Sequence, residues 1–214
     1  MTLSSNQKKR VLELYHNPPN NGKVLCFDEF GLLEVRPIAG ANWCPKDKPN
    51  RLPATYHRTQ GVQHLLAAYD LRENKLYAYM KARKRWKEFI QFLRYLRNKY
   101  DDKLYIIMDN FSPHKKAEIK AYAQENDIEL VFLPTNASWL NRIECEFTAL
   151  RKFALENSNY KTKKEQAKAI RKYIIWRKKH PKNQRLIDVK KRNQISLRGT
   201  SWLYLSLSLA YSHD

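Results

Sequence analysis

Three carboxylates in this chain stand at the ends of apolar runs. Asp109 closes the run that begins at Leu104, and Asp28 closes the run from Val24. Glu144 opens an amphipathic stretch just after Trp139, with thirty-four residues (110–143) between it and Asp109. An acid at the end of a buried strand is costly unless something cationic meets it. Mg²⁺ takes hard oxygen ligands from one or two carboxylates and keeps several waters. Two or three converging acids suit that need, and a pair of such ions can act on a phosphodiester. A structural reading stands beside this one. Asp109 and Asn110 also suit a helix cap or a turn, and Glu144 suits a first-turn acid that favours the helix dipole. Glu146 borders the same apolar helix face on its other side, so a helical wheel does not single out Glu144. Spacing alone leaves both readings open. Glu29 adjoins Asp28, but strand alternation turns it to the opposite face, outside the metal set.

Composition narrows the partner. The 214 residues hold 41 Lys and Arg against 21 Asp and Glu, a net charge of +20. A polyanion explains that excess better than a solvated surface does, and nucleic acid is the commonest polyanion. An anionic membrane surface is the rival. No apolar stretch approaches the ~20 residues needed to span a bilayer, so a soluble, cytoplasmic protein is expected. The N-terminus has no apolar region behind its basic residues and does not read as a secretory signal. Cys26, Cys44 and Cys145 lack zinc spacing and a disulfide framework and read as reduced thiols.

The positioning elements follow from periodicity. Residues 3–16 read as a helix ended by the Pro and Asn cluster at 17–22. Strands are predicted at 24–28 and 32–36, joined by a turn at 29–31. A long loop fills 37–60, with four of the nine prolines. Residues 62–69 and 76–80 read as a hairpin. Residues 84–100 read as a helix with Trp86, Phe89, Ile90, Leu93 and Leu96 on one face. Then come a buried strand at 104–108, a helix at 114–126, and a strand at 128–133. A helix carries Leu140, Ile143, Phe147, Leu150 and Ala154, and a basic helix spans 162–179. The expected fold class is α/β: a mixed five-stranded sheet, three antiparallel strands then two parallel, flanked by helices. The tail from about residue 190 fits no part of this scheme; within it, residues 201–209 alternate like a strand and read either as an added edge strand or as a segment without a packing partner.

Three blocks, residues 27–31, 108–114 and 133–144, together resemble the three acid motifs of a DDE transposase. The likeness is greatest to the bacterial insertion-sequence branch of the mariner superfamily (the IS six-thirty type), including its spacing between the second and third acids. It runs from about Val11 to Lys179. The resemblance implies a ribonuclease-H-like fold and Mg²⁺ or Mn²⁺, two ions, held by Asp28, Asp109 and Glu144. It implies cleavage of transposon ends and joining of the new 3′-hydroxyl to target DNA. Asn110, His114 and Asn141 are candidates to orient the acids. For His114, a local structural role at a helix start is an equal alternative. The expected organisation is an N-terminal helix and linker at 1–22, a catalytic domain at 23–180 and a basic extension at 181–214. Many relatives carry proline where this chain has Arg142. The family's end-finding helix-turn-helix region does not fit within residues 1–16, so a partner from an upstream reading frame is expected. The implied partners are double-stranded DNA (terminal inverted repeats and target) and a second copy of the chain. The implied setting is a bacterial cytoplasm, with the protein on the nucleoid when bound.

Residues 81–99 hold eight Lys or Arg against one acid, Glu88. Candidate DNA contacts are Arg83, Lys84, Arg85, Trp139, Arg142, Arg151 and Lys152. Such charge runs also occur as plain solvated faces, and Trp139 reads more readily as core packing than as a stacking platform. Two rival functions remain at this stage. One is a truncated or degenerate copy that binds DNA without catalysis. The other is a ribonuclease-H-like nuclease acting on hybrids, against which the acid spacing argues.

Overall fold

The computed structural model describes residues 3–41, 43–49, 51–53, 60–181 and 183–188. Helix α1 spans Leu3–His16, followed by strands β1 (Gly22–Glu34), β2 (Val62–Asp70) and β3 (Lys75–Lys81). Helix α2 (Trp86–Arg97) leads to β4 (Lys103–Met108), α3 (Ala117–Glu125) and β5 (Ile128–Phe132). Helices α4 (Glu144–Leu150) and α5 (Lys163–Lys179) follow, and a short α6 occupies 184–188. The sheet order is β3-β2-β1-β4-β5. β1 pairs antiparallel with β2 and β2 with β3, whereas β1–β4 and β4–β5 are parallel.

Strand alternation sends the side chains of β1 into two cores. Val24, Cys26, Phe30 and Leu33 join Val11 and Leu14 of α1, Phe147 and Leu150 of α4, and Ile170 and Tyr173 of α5. Leu25 and Phe27 join Phe89, Phe92, Leu93 and Leu96 of α2 and Ile119 of α3. The result is a sheet covered on both faces, as parallel strands require. The α2 face is wider than its sequence pattern predicts: Phe92 is fully buried, while Trp86 and Ile90 are only partly so. Leu186 of α6 is also fully buried in the α1 side of the core.

Several boundaries differ from the sequence reading. The strands predicted at 24–28 and 32–36 are one strand, and the turn between them is a bulge between Phe30 and Leu33. Gly31 sits there at φ +86°, where a side chain is strained. The helix predicted at 114–126 is a 3-10 turn over Ser112–Lys115 and then α3; Pro113 suits the first turn but supplies no N–H for a longer helix. The helix predicted around Glu144 is three pieces: a 3-10 turn at Ser138–Leu140, α4, and a π-helical segment at Arg151–Leu155. The strand-like segment at 201–209 and residues 54–59 of the long loop lie outside the described residues.

The β2–β3 turn is tied by a buried acid. Asp70 Oδ1 accepts the N–H groups of Arg72 and Glu73, each at 2.8 Å, and Tyr100 donates to Oδ2 at 2.6 Å. Asn74 closes the same turn with φ +52°.

Candidate active site

Parallel register brings two of the acids level. Cys26 pairs with Ile107 across β1 and β4, so Asp28 and Asp109 stand together two residues further on. By alternation both lie on the face that α1, α4 and α5 cover, at the carboxyl end of β4, where ligands bind in such sheets. Glu144 is the first residue of α4 on that same face. The packing of Ile143, fully buried, and Phe147 into the core holds the start of α4 against β1.

The electrostatics record the convergence. Burial pushes the Asp28 carboxyl up to about 7, against the Glu29 N–H that bonds Oδ1 at 2.7 Å, and the charges of Glu144 and Asp109 push the same way. Burial also raises Glu144, with Arg151 opposing. Asp109 goes the other way. Burial would raise it, but His114 and the Phe111 N–H bond Oδ1 at 3.1 and 3.2 Å and hold it below the ordinary carboxylate value. Among the described residues, no three His, Cys, Asp or Glu side chains close into a ready-made metal cage. The donor set still fits a hard dication that retains waters: three crowded carboxylates, one of them carrying a strongly raised pKa. Beside them Asn141 donates to Phe27 O at 2.9 Å and approaches Asp28 Oδ2 at 3.4 Å, while its buried Oδ1 lacks a hydrogen-bond partner among the described residues.

His114 joins the two faces of the sheet. Its Nδ1 faces Asp109 Oδ1 at 3.1 Å and its Nε2 faces Glu29 Oε1 at 3.0 Å. Its ring is buried against Phe27 and Phe89. Burial lowers the imidazole pKa, but the two carboxylates outweigh it and raise it to about 8. Glu29 does point to the face opposite Asp28, as alternation dictates, yet it reaches Asp109 around the strand end through this imidazole. Sequence reasoning missed that link. The only signal for it is a histidine five residues after Asp109, whose partner no spacing reveals. Asn110 is tied elsewhere, donating to Leu133 O and holding the ends of β4 and β5 together.

The candidate DNA contacts fare unequally. Lys84 Nζ turns inward to within 3.8 Å of Glu29 Oε2, and Arg85 pairs with Glu88 at 2.7 Å. Arg142 lies 4.1 Å over the Tyr15 ring, and Arg151 lies 5.6 Å over Phe30. Arg83 and Lys152 are exposed. Trp139 is not core packing: it is 40% exposed, with Lys8 Nζ 5.9 Å over its ring. Glu146, which sequence could place only at the border of a face, is fully buried and forms a two-pronged pair with Arg177 of α5 at 2.8 and 2.9 Å. Arg177 also bonds the backbone and side chain of Asn74. One cation of the basic helix is therefore an internal strut.

A mixed five-stranded sheet of this order, with helices on both faces, is a ribonuclease-H-like fold. The profile of the DDE superfamily endonucleases matches residues 23–166, and the chain belongs to that family. No curated protein sequence matches the chain. Among solved structures, the Mos1 transposase catalytic domain with raltegravir and Mn superposes with a TM-score of 0.57 at 12% identity, over 91% of this chain and 92% of that one. The Mos1 strand transfer complex gives 0.61 at 14% identity over 89% of this chain and 60% of that chain. The Mos1 mariner paired-end complex with Mn gives 0.60 at 14% over 91% and 61%. At these identities the likeness is one of fold. The chain spans about three-fifths of the length of the longer Mos1 chains. Among the described residues no helix is long and apolar enough to cross a membrane.

Proposed function

We propose that this chain is the catalytic unit of a DNA transposase of the mariner superfamily, of the IS six-thirty type, with its catalytic domain at 23–180. It cuts transposon ends and joins the freed 3′-hydroxyl to target DNA. The observation that carries this reading is the meeting of Asp28, Asp109 and Glu144 on one face at one sheet end, within the stretch that matches the endonuclease family. Asp28, Asp109 and Glu144 would hold Mg²⁺ or Mn²⁺, the two metals found with Mos1 paired-end complexes of similar fold. Bound there, such ions supply activation of the attacking water or hydroxyl and stabilisation of the leaving oxygen.

The chain's own residues prepare that site. His114 and the Phe111 N–H occupy Oδ1 of Asp109, which leaves Oδ2 to face a cation. Glu29 fixes the imidazole from the other side, as outer partners commonly do at metal sites. Asn141 steers Asp28 from below through Nδ2. The exposed basic helix faces hold the DNA backbone. A second copy of the chain pairs the two ends.

The test is a nicking and strand-transfer assay with the purified chain on plasmids carrying the ends that flank its own reading frame. Cleavage is expected with Mg²⁺ or Mn²⁺ and not in EDTA. Asp109→Asn and Glu144→Gln are each expected to lose at least about 100-fold, the upper end of what loss of a mere supporting partner costs at metal sites. Equal cleavage in EDTA, or full activity in both variants, sinks the proposal.

A further inference from the structure

Two residues beyond Asp109, at Phe111, the surface opens into a recess of ≈ 610 Å³ that the acids do not line. Its walls are two stretches, one from Lys84 to Trp86 ahead of α2 and one from Phe111 to Lys116 after β4. Its two aromatic side chains, Trp86 and Phe111, are half-buried rather than packed away. Phe111 is held in place. Its ring meets His114 edge-on at 5.4 Å, Lys84 Nζ sits 4.6 Å over it, and its N–H bonds Asp109 Oδ1. Arg85 is paired with Glu88, and Lys115 and Lys116 are exposed at the same rim, Lys115 Nζ lying 5.7 Å over the Phe132 ring.

Half-buried rings beside ammonium groups complement a heteroaromatic base attached to a phosphate. A base inside a duplex offers no free face, because its neighbours cover both. The occupant that can use these rings is therefore unpaired. Phe111 is bonded through its amide to Asp109, so the occupant adjoins whatever phosphodiester the acids hold.

We propose that this recess takes one unpaired nucleotide next to the phosphodiester at the acids, its base against Trp86 and Phe111 and its phosphate on Lys115 and Lys116. The inference rests on the DNA-cutting reading and deepens it: the strand at the site is opened locally rather than read as intact duplex. The rival occupant, an intact duplex touching only the lysines, is an outcome of the test.

The experiment is binding in EDTA, read by fluorescence anisotropy, with two probes of one sequence: a fully paired duplex and a fork with a short unpaired end. A 2-aminopurine in the unpaired end reports stacking. The native chain is expected to bind the fork about tenfold more tightly and to quench the 2-aminopurine. Trp86→Leu and Phe111→Leu, which keep apolar bulk, are each expected to bring the ratio close to one and to relieve the quenching. Thermal melts check that each variant is folded; if Phe111→Leu is not, Trp86→Leu decides alone. Equal binding of fork and duplex by the native chain overturns the proposal, as does a fork preference that survives the folded variants. The readout needs no metal and no cleavage. A chain that prefers forks but never nicks keeps the recess and loses the cutting reading, and the converse result does the reverse.

Discussion

At the scale of the residue, the informative group is Asp28. Its folded pKa of about 7 lies above the ordinary aspartate value because the side chain is buried and faces two more acids. A carboxyl raised in this way keeps a proton that the unfolded chain releases. Its contribution to stability is complete below the unfolded value near 3.9 and is lost as pH rises through 7. Asp28→Asn removes that dependence. In denaturant melts without metal, the variant is expected to gain roughly 2 kcal/mol over the native chain at pH 8 and almost nothing at pH 4. A gain of the same size at both pH values would show that Asp28 is not strained by its charge. The acid motifs made Asp28, Asp109 and Glu144 legible in the sequence. Glu29 was not, since its link to Asp109 runs through His114 across eighty-five residues of chain.

At the scale of the element, two devices hold the acids in place. The first is the bulge that lets β1 run on as one strand. A Cβ at Gly31 would lie 2.9 Å from both Leu33 Cγ and Leu33 N, in addition to the strain of its positive φ. Gly31→Ala is expected to cost about 1–3 kcal/mol, read as a lower denaturation midpoint with an unchanged slope. Sequence reasoning saw glycine after Glu29-Phe30 and inferred a reversal. A bulge and a turn use the same residue, and the choice depends on β2 being there to pair with Leu33 and Glu34. The second device is the Glu146–Arg177 pair, which joins α4, the helix that begins at Glu144, to α5. Arg177→Met takes the guanidinium away from a buried carboxylate and is expected to cost about 3–5 kcal/mol, whereas adding Glu146→Leu should recover much of that loss. A double variant no more stable than Arg177→Met would show that the pair is not the main tie. The π-helical turn at Arg151–Leu155 directly after α4 is the kind of irregularity that gathers at functional sites.

At the scale of the whole molecule, the charge of +20 accompanies a sheet closed over on both faces, which leaves the exteriors of the described helices to display basic residues. On α5, Lys164, Lys168 and Arg171 are exposed and share one face, while Arg177 of the same helix is buried. If that face meets duplex DNA, changing the three to Gln should flatten the slope of log affinity against log salt by about 0.9 for each phosphate no longer neutralised. An unchanged slope would move the DNA to another face.

The sequence by itself determined the class of fold and the strands β2 to β5, because periodicity is a local property that survives without a third dimension. The first helix was legible to its ends for the same reason. What the tertiary structure decided were relations between distant segments. The β1–β4 register brings Asp28 level with Asp109. The approach of the chain after β4 to the end of β1 joins His114 to Glu29, and the docking of α5 on α4 turns one of many cations into a buried partner for Glu146. A carboxylate's identity is written in one residue, but its charge state and orientation depend on what folding places beside it. That second kind of information exists only once the sheet has formed.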